Sequence, residues 1–351
     1  MRRKTPRRRS LKPGCLVLAL AVGGFSTAEA RAAECASPAG LSACFDANAL
    51  WLPAGSTSFM TLPDTRVTAV RRPSVGFSSE LLHRPVQLHA ASPDTGGRDV
   101  HVLELALDAS LFAAFGLARD LELNVVSPYR VYQSGAGVAG VTSQAGAEVT
   151  HTALRDPRIG FAYSLDETLH TSGLGMRLEL DASIPLGDEP AFYGERSFVV
   201  LPRVTFGLRR SVLRASASFG ARLRRAVDFG GVRLGNQAVL ALGVGVEVLA
   251  PDLLFVAVEA FASPPLADNR APSAGPEVTE VNLFPAEWLA TVHSSFGTAH
   301  WSLGLGAGSG LPLSSETRST PYGPSTAHFL GATTPDFRSL LVLRYTLSAP
   351  F

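Results

Sequence analysis

From about Val75 to Phe351 the chain alternates apolar and polar residues in runs of roughly ten, separated by short turns and by longer Gly/Pro-rich stretches. In Leu174–Ile184, for example, Leu178, Leu180, Ala182 and Ile184 fall on one side. Arg177, Glu179, Asp181 and Ser183 fall on the other. A side-chain period of two marks a β-strand whose faces meet different surroundings. The pattern predicts twelve strands, near Val75–Ala90, Val100–Phe112, Leu121–Gln133, Arg158–Asp166, Leu174–Ile184, Ser197–Leu208, Val212–Arg224, Gln237–Leu249, Leu253–Ala262, Glu287–Phe296, His300–Ser309 and Phe337–Leu347. Ten or fourteen strands are the alternatives.

The connections carry a second signal. Those after the even strands are mostly tight: Gly116–Asp120, Glu167–Gly173, Arg209–Ser211, Ala250–Asp252 and Gly297–Ala299. Those after the third, ninth and eleventh are long: Ser134–Pro157, Ser263–Ala286 and Gly310–Asp336. Short periplasmic turns alternating with longer outer loops are the layout of bacterial outer-membrane barrels. The expected fold class is therefore all-β, a transmembrane antiparallel up-and-down β-barrel over residues 74–351. No uninterrupted stretch of 18 apolar residues follows the leader, which excludes ordinary membrane-spanning helices. Grease placed at every second position suits a closed sheet, which pairs every backbone group without leaving an edge in lipid.

Alternation also assigns faces. Arg214, Ser216, Ser218, Gly220 and Arg222 oppose Leu213, Ala215, Ala217, Phe219 and Ala221, and Glu104 and Asp108 oppose Leu103, Leu105 and Leu107. The polar set is expected in the lumen, because a charge facing lipid at the midplane costs about 2–4 kcal/mol. Candidate lumen charges are Glu104, Glu122, Glu179, Asp181, Arg203, Arg214, Arg222 and Glu247, with the three arginines able to meet the carboxylates. Tyr129, Trp288, Trp301 and Tyr345 lie near strand ends and suit aromatic girdles.

Residues 1–33 read as a signal peptide: a basic start, the eleven-residue apolar core Cys15–Phe25, and small-x-small patterns at Ala28–Ala30 and Ala30–Ala32. This predicts export and a location in the cell outer membrane. Residues 1–32 hold eight of the 31 Lys+Arg and one of the 30 Asp+Glu, leaving 23 against 29 and a net charge of −6. A mildly acidic remainder without a basic patch is a poor nucleic-acid binder. Residues 34–73 do not alternate and contain Pro38, Pro53, Pro63 and Pro73. They form an irregular segment outside the barrel wall, long enough to fold back as a plug. Cys35 and Cys44 lie in this exported region and are expected to pair as a disulfide.

Little else suggests chemistry. Gly304, Gly306, Gly308 and Gly310 lack nucleotide-loop spacing, and their alternation puts them all on one face of the eleventh strand, where something packs close or the sheet bends. His170/Ser172, His293/Ser295 and His300/Ser302 each place a base two residues from a hydroxyl. An outer-membrane lipid hydrolase is the enzyme these would serve, but parity sends the last two pairs to the lumen, away from lipid. No cofactor or metal is expected. A secreted soluble β-sandwich is the remaining alternative.

The last residues, Leu341, Leu343, Tyr345, Leu347, Ala349 and Phe351, share one face. This alternation ending in an aromatic resembles the signal read by barrel-assembly machinery, with Tyr345 and Phe351 as its aromatics. The stretches Asp120–Leu123, Arg155–Ala162 and Pro185–Glu189, with Glu34–Leu41 and Cys44, resemble outer-membrane barrels of two groups. These are the myxobacterial OmpA-like proteins (barrel part only) and the meta-pathway phenol-degradation transporters. The resemblance implies a passive channel for small solutes or a structural envelope protein, with outer-membrane lipid and the assembly machinery as partners. It implies no enzymatic activity, and oligomeric state is left open.

Overall fold

The computed structural model describes residues 41–55, 57–90, 98–138, 149–165, 173–195, 197–229, 232–249, 253–267, 284–296, 300–311, 329–332 and 334–347. Twelve strands form the wall: β1 (Ser74–Ala90), β2 (Arg98–Ala118), β3 (Leu121–Ser134), β4 (Arg158–Ser164), β5 (Leu174–Ser183), β6 (Val199–Arg210), β7 (Leu213–Arg222), β8 (Gln237–Glu247), β9 (Leu254–Ala262), β10 (Ala286–Phe296), β11 (Trp301–Gly310) and β12 (Phe337–Thr346). Each pairs antiparallel with its neighbours in sequence. Closure comes from β1, where Ser74 lies opposite both Ala114 of β2 and Thr346 of β12. A closed cylinder replaces the two stacked sheets of a sandwich, so the soluble alternative falls.

The alternation sorts as expected. Outward side chains form an apolar skin, with Leu180 50%, Leu242 58%, Val244 55% and Val258 58% exposed. Inward neighbours such as Arg177, Glu179, Gly243 and Glu259 are buried. Among the described residues no helix is long and apolar enough to cross a membrane. An apolar outer band on a closed sheet is the geometry of a lipid-spanning barrel. At the short-turn end, Trp301 packs on Tyr345 with ring centres 4.6 Å apart and stacks beside Phe296 at 6.4 Å. Tyr129 and Trp288, each 39% exposed, also face out.

Two details depart from the sequence reading. β2 runs six residues beyond Phe112, to Ala118. Its inward positions there, Ala114 and Gly116, are small rather than polar, so the contrast between faces disappears although the pairing with β3 continues. The loops also carry structure of their own. Val227–Phe229 pairs with Val232–Leu234, and Phe329–Ala332 continues the ladder along the upper part of β1.

Candidate functional site

The barrel encloses its own N-terminal segment. From residue 41 to residue 68 nearly every described position is buried, and the segment touches side chains from strands all around the wall. Leu41 bridges to Phe229 at the long-loop end, and Val70 bridges to Gly116 at the short-turn end. The segment therefore runs the height of the lumen. Apolar clusters anchor it at two levels. Phe45 packs on Phe192 and Phe229 at 5.5 and 5.0 Å, and Phe59 packs on Phe255 at 5.5 Å.

An irregular backbone inside a protein must find partners for its N–H and C=O groups. Here side chains of the wall and its loops supply them. Arg155 donates to Asn48 O (2.5 Å), Arg222 to Ala49 O (2.6 Å) and Arg344 to Pro53 O (3.3 Å). Ser164 donates to Thr65 O (2.7 Å) and Arg177 to Arg66 O (3.2 Å). Glu259 accepts from Met60 N (2.8 Å) and Thr61 N (2.7 Å), and Glu122 accepts from Thr68 N (2.6 Å). Inward glycines leave the room. A Cβ on Gly243 would stand 2.8 Å from Phe59, one on Gly207 2.8 Å from Thr65, and one on Gly306 3.0 Å from Met60. The glycine face of β11 thus meets a close neighbour, as its spacing suggests.

Charged side chains tie segment to wall. Asn48 donates to Glu80 (3.1 Å) and Asp108 (3.0 Å). Arg338 donates to Asn48 Oδ1 (3.0 Å) and Glu80 (2.6 Å), and its Nε to Glu287 (2.7 Å). Arg155 pairs with Asp46. Arg130 makes a two-pronged bond to Asp108 at 2.6 and 3.1 Å and lies 4.0 Å from the Tyr193 ring centre. Buried pairs of this kind add little net stability, but removing one partner leaves an uncompensated charge at a cost of about 3–5 kcal/mol.

The expected lumen charges divide into three sets. Arg203 meets Glu179 (2.7 Å) and Asp181 (3.2 Å), and Arg214 meets Glu247. Glu122 takes Arg177 (2.8 Å) instead, a residue already on the polar face of its strand but not singled out. Arg222 has no carboxylate partner within ion-pair distance among the described residues. It bonds Ala49 O, and with Arg158 it lies over Trp51, at 5.0 and 4.9 Å. Glu104 sits high on the long-loop rim, 40% exposed, paired with Arg84 at 3.2 Å. The wall residues that grip the segment, Glu259, Arg338 and Arg344, carry the same alternating signal as their neighbours, and Asn48 on the segment itself carries none. Their partners lie far away in sequence, so spacing could not reveal them.

Outside the strands, Asp156 clasps two parts of the outer loops. It accepts from Leu186 N (3.0 Å), Gly187 N (2.7 Å) and Glu195 N (2.8 Å). Burial pushes its carboxyl up to about 6, outweighing the N–H donors that oppose the shift. Cys44 is disulfide-bonded, while Cys35 and Phe351 lie outside the described residues. His170 and Ser172 also lie outside them. Among the described residues no hydrogen bond joins His293 or His300 to Ser295 or Ser302. His300 Nδ1 instead lies 3.1 Å from Thr346 O. No group of three potential metal ligands occurs among the described residues.

Fold, inward polar face and occupied lumen define an outer-membrane type of closed barrel. No protein-family model matches the chain, and no curated protein does either. Among solved structures it is similar to an outer membrane channel from Pseudomonas putida F1, with TM-score 0.55 and 12% identity over 82% of this chain and 100% of that one. The KdgM porin (TM-score 0.43, 7% identity, 78% and 99% covered) and the NanC porin (TM-score 0.43, 8% identity, 77% and 100% covered) are more distant. At such identities the likeness is one of fold.

Proposed function

We propose that this chain is an outer-membrane channel for small solutes, closed at rest by its own N-terminal segment. The observation that carries the reading is how the segment is held. Wall side chains bond its main chain one group at a time, so it behaves as a removable ligand of the barrel. The fold shared with a protein described as an outer membrane channel supports the same reading. Export through a signal peptide cleaved near residues 30–33, insertion by the barrel-assembly machinery and contact with outer-membrane lipid complete it. The narrower kinship with myxobacterial OmpA-like and phenol-degradation transporter barrels rests on the short motifs of the sequence. A Cys35–Cys44 disulfide would fix the outer end of the segment.

Conductance in planar bilayers tests the proposal. The full chain should conduct weakly, and a variant lacking residues 41–70 should show larger, stable openings. Equal conductance of the two would end the plug reading, and no conductance from either would leave a structural envelope barrel.

A further inference from the structure

Between the segment and the inner faces of β10, β11 and β12 lies a small cavity of about 10 Å³. Pro53 and Thr57 close it from the segment side, and His293, Ser302, Gly304 and Arg344 from the wall. Gly304 keeps it open, since a Cβ there would stand 3.3 Å from both His293 and Met60. A space of ~10–15 Å³ holds about one water-sized particle.

Its polar lining is rich in donors. Arg344 is 8% exposed and has no carboxylate within ion-pair distance among the described residues. It donates to Thr57 Oγ1 (2.9 Å) and Pro53 O (3.3 Å), and its Nε is buried without a partner. His293 Nε2 is buried without a partner as well, and Ser302 brings a hydroxyl to the same space. No carboxylate lines the cavity. Glu122, which acts on Arg344 from a distance, is engaged by Arg177 and by Thr68 N, at 2.8 and 2.6 Å. Arg214, the other cation near His293, is paired with Glu247.

A buried guanidinium without a counter-charge is costly, and a buried donor needs an acceptor. Water would accept here but would bring two hydrogens of its own, and the carbonyl of Pro53 and the hydroxyl of Thr57 already accept from Arg344. A monatomic anion accepts from every donor and donates nothing. We infer that this cavity holds a single halide ion of chloride's size, bound by Arg344, Ser302 and the His293 tautomer that carries its proton on Nε2. The ion ties segment to wall. The inference goes beyond the channel reading and needs no conduction, because the enclosed segment and the wall alone build the site.

Radiolabelled chloride is the probe, dialysed against the full-length protein in detergent with gluconate as the background anion. One saturable site per chain is expected, displaced by bromide but not by sulfate, whose tetrahedral bulk exceeds the cavity. R344Q and H293F should each weaken it roughly tenfold or more, as follows from losing a charge-assisted hydrogen bond. In crystals grown with bromide, the anomalous signal should lie between Arg344 and His293. Absence of saturable chloride, displacement by sulfate as readily as by bromide, or no bromide signal in the cavity would overturn the assignment. Binding unchanged in both variants would do the same. The competition and the bromide signal use the natural sequence, so they decide even where a variant fails to fold.

Discussion

The carboxylate of Glu259, on β9, accepts both the amide N–H and the hydroxyl of Thr61, each at 2.7 Å. Met60 N (2.8 Å) and Thr291 Oγ1 (2.8 Å) complete its set of donors. One wall residue thus satisfies two consecutive amides of the enclosed segment at mid-length. Glu259→Ala would leave both amides buried without acceptors, each costing about 1–3 kcal/mol. The expected outcome is an intact barrel with a loosened segment. Single-channel recordings of the variant should show frequent large openings rare in the natural protein. A recording indistinguishable from it would mean that Glu259 does not hold the segment in place.

Steric room makes an independent test at Gly243. A Cβ there would stand 2.8 Å from Phe59 Cδ1 and 3.1 Å from Leu62 Cδ1. Gly243→Val should destabilise by about 1–3 kcal/mol through overpacking, and Phe59→Ala by about 3–5 kcal/mol through the cavity it leaves. Combined, the two should cost clearly less than their sum, because the smaller ring site accepts the added methyls. Urea unfolding of all four proteins in detergent measures the coupling. Additive effects would place Phe59 elsewhere.

Asp156 gives a pH dependence outside the membrane span. Its carboxyl is raised from 3.8 to about 6 by burial, so between those values the closed loop holds a proton that the open loop releases. Closure is accordingly favoured on the acid side and loses that contribution as pH rises through about 6. Protection of the Gly187 amide, corrected for intrinsic exchange, should be greater at pH 4.5 than at pH 7. Asp156→Asn should abolish the difference. Protection that grows with pH would mean that the three N–H donors win over burial and hold the carboxyl below its ordinary range.

The wall was largely legible in the sequence because a period of two is a local property. Leu178, Leu180 and Ala182 against Arg177, Glu179 and Asp181 need no distant partner to declare their faces. The pattern faded where inward positions became small, as at Ala114 and Gly116. It could not show height, so Glu104 at the rim and Glu122 near the short-turn end looked alike. Pairing depends on stagger between strands, so alternation offers Arg203, Arg214 and Arg222 one common set of carboxylates and cannot show that Arg203 meets Glu179 and Asp181 while Arg222 bonds Ala49 O. The grip of Glu259 on Thr61 spans 198 residues of sequence, and it uses backbone amides, which leave no compositional trace.

The outward stripe carries the remaining prediction. Leu180 and Val244 are 50% and 55% exposed on the face opposite the charged lumen. Leu180 lies opposite Phe161 and Pro202 on neighbouring strands, and Val244 opposite Ala215 and Val258. Both positions are flanked by apolar side chains of the same skin. Arginine at either site should cost about 2–4 kcal/mol if it lies at the bilayer midplane, and less nearer the interfaces. Nitroxide labels at the same two positions, in vesicles, should be relaxed by oxygen dissolved in the acyl region and shielded from a water-soluble nickel chelate. The reverse accessibility would place this surface in water, and with it would go the lipid-facing skin on which the inward assignment of every lumen charge depends.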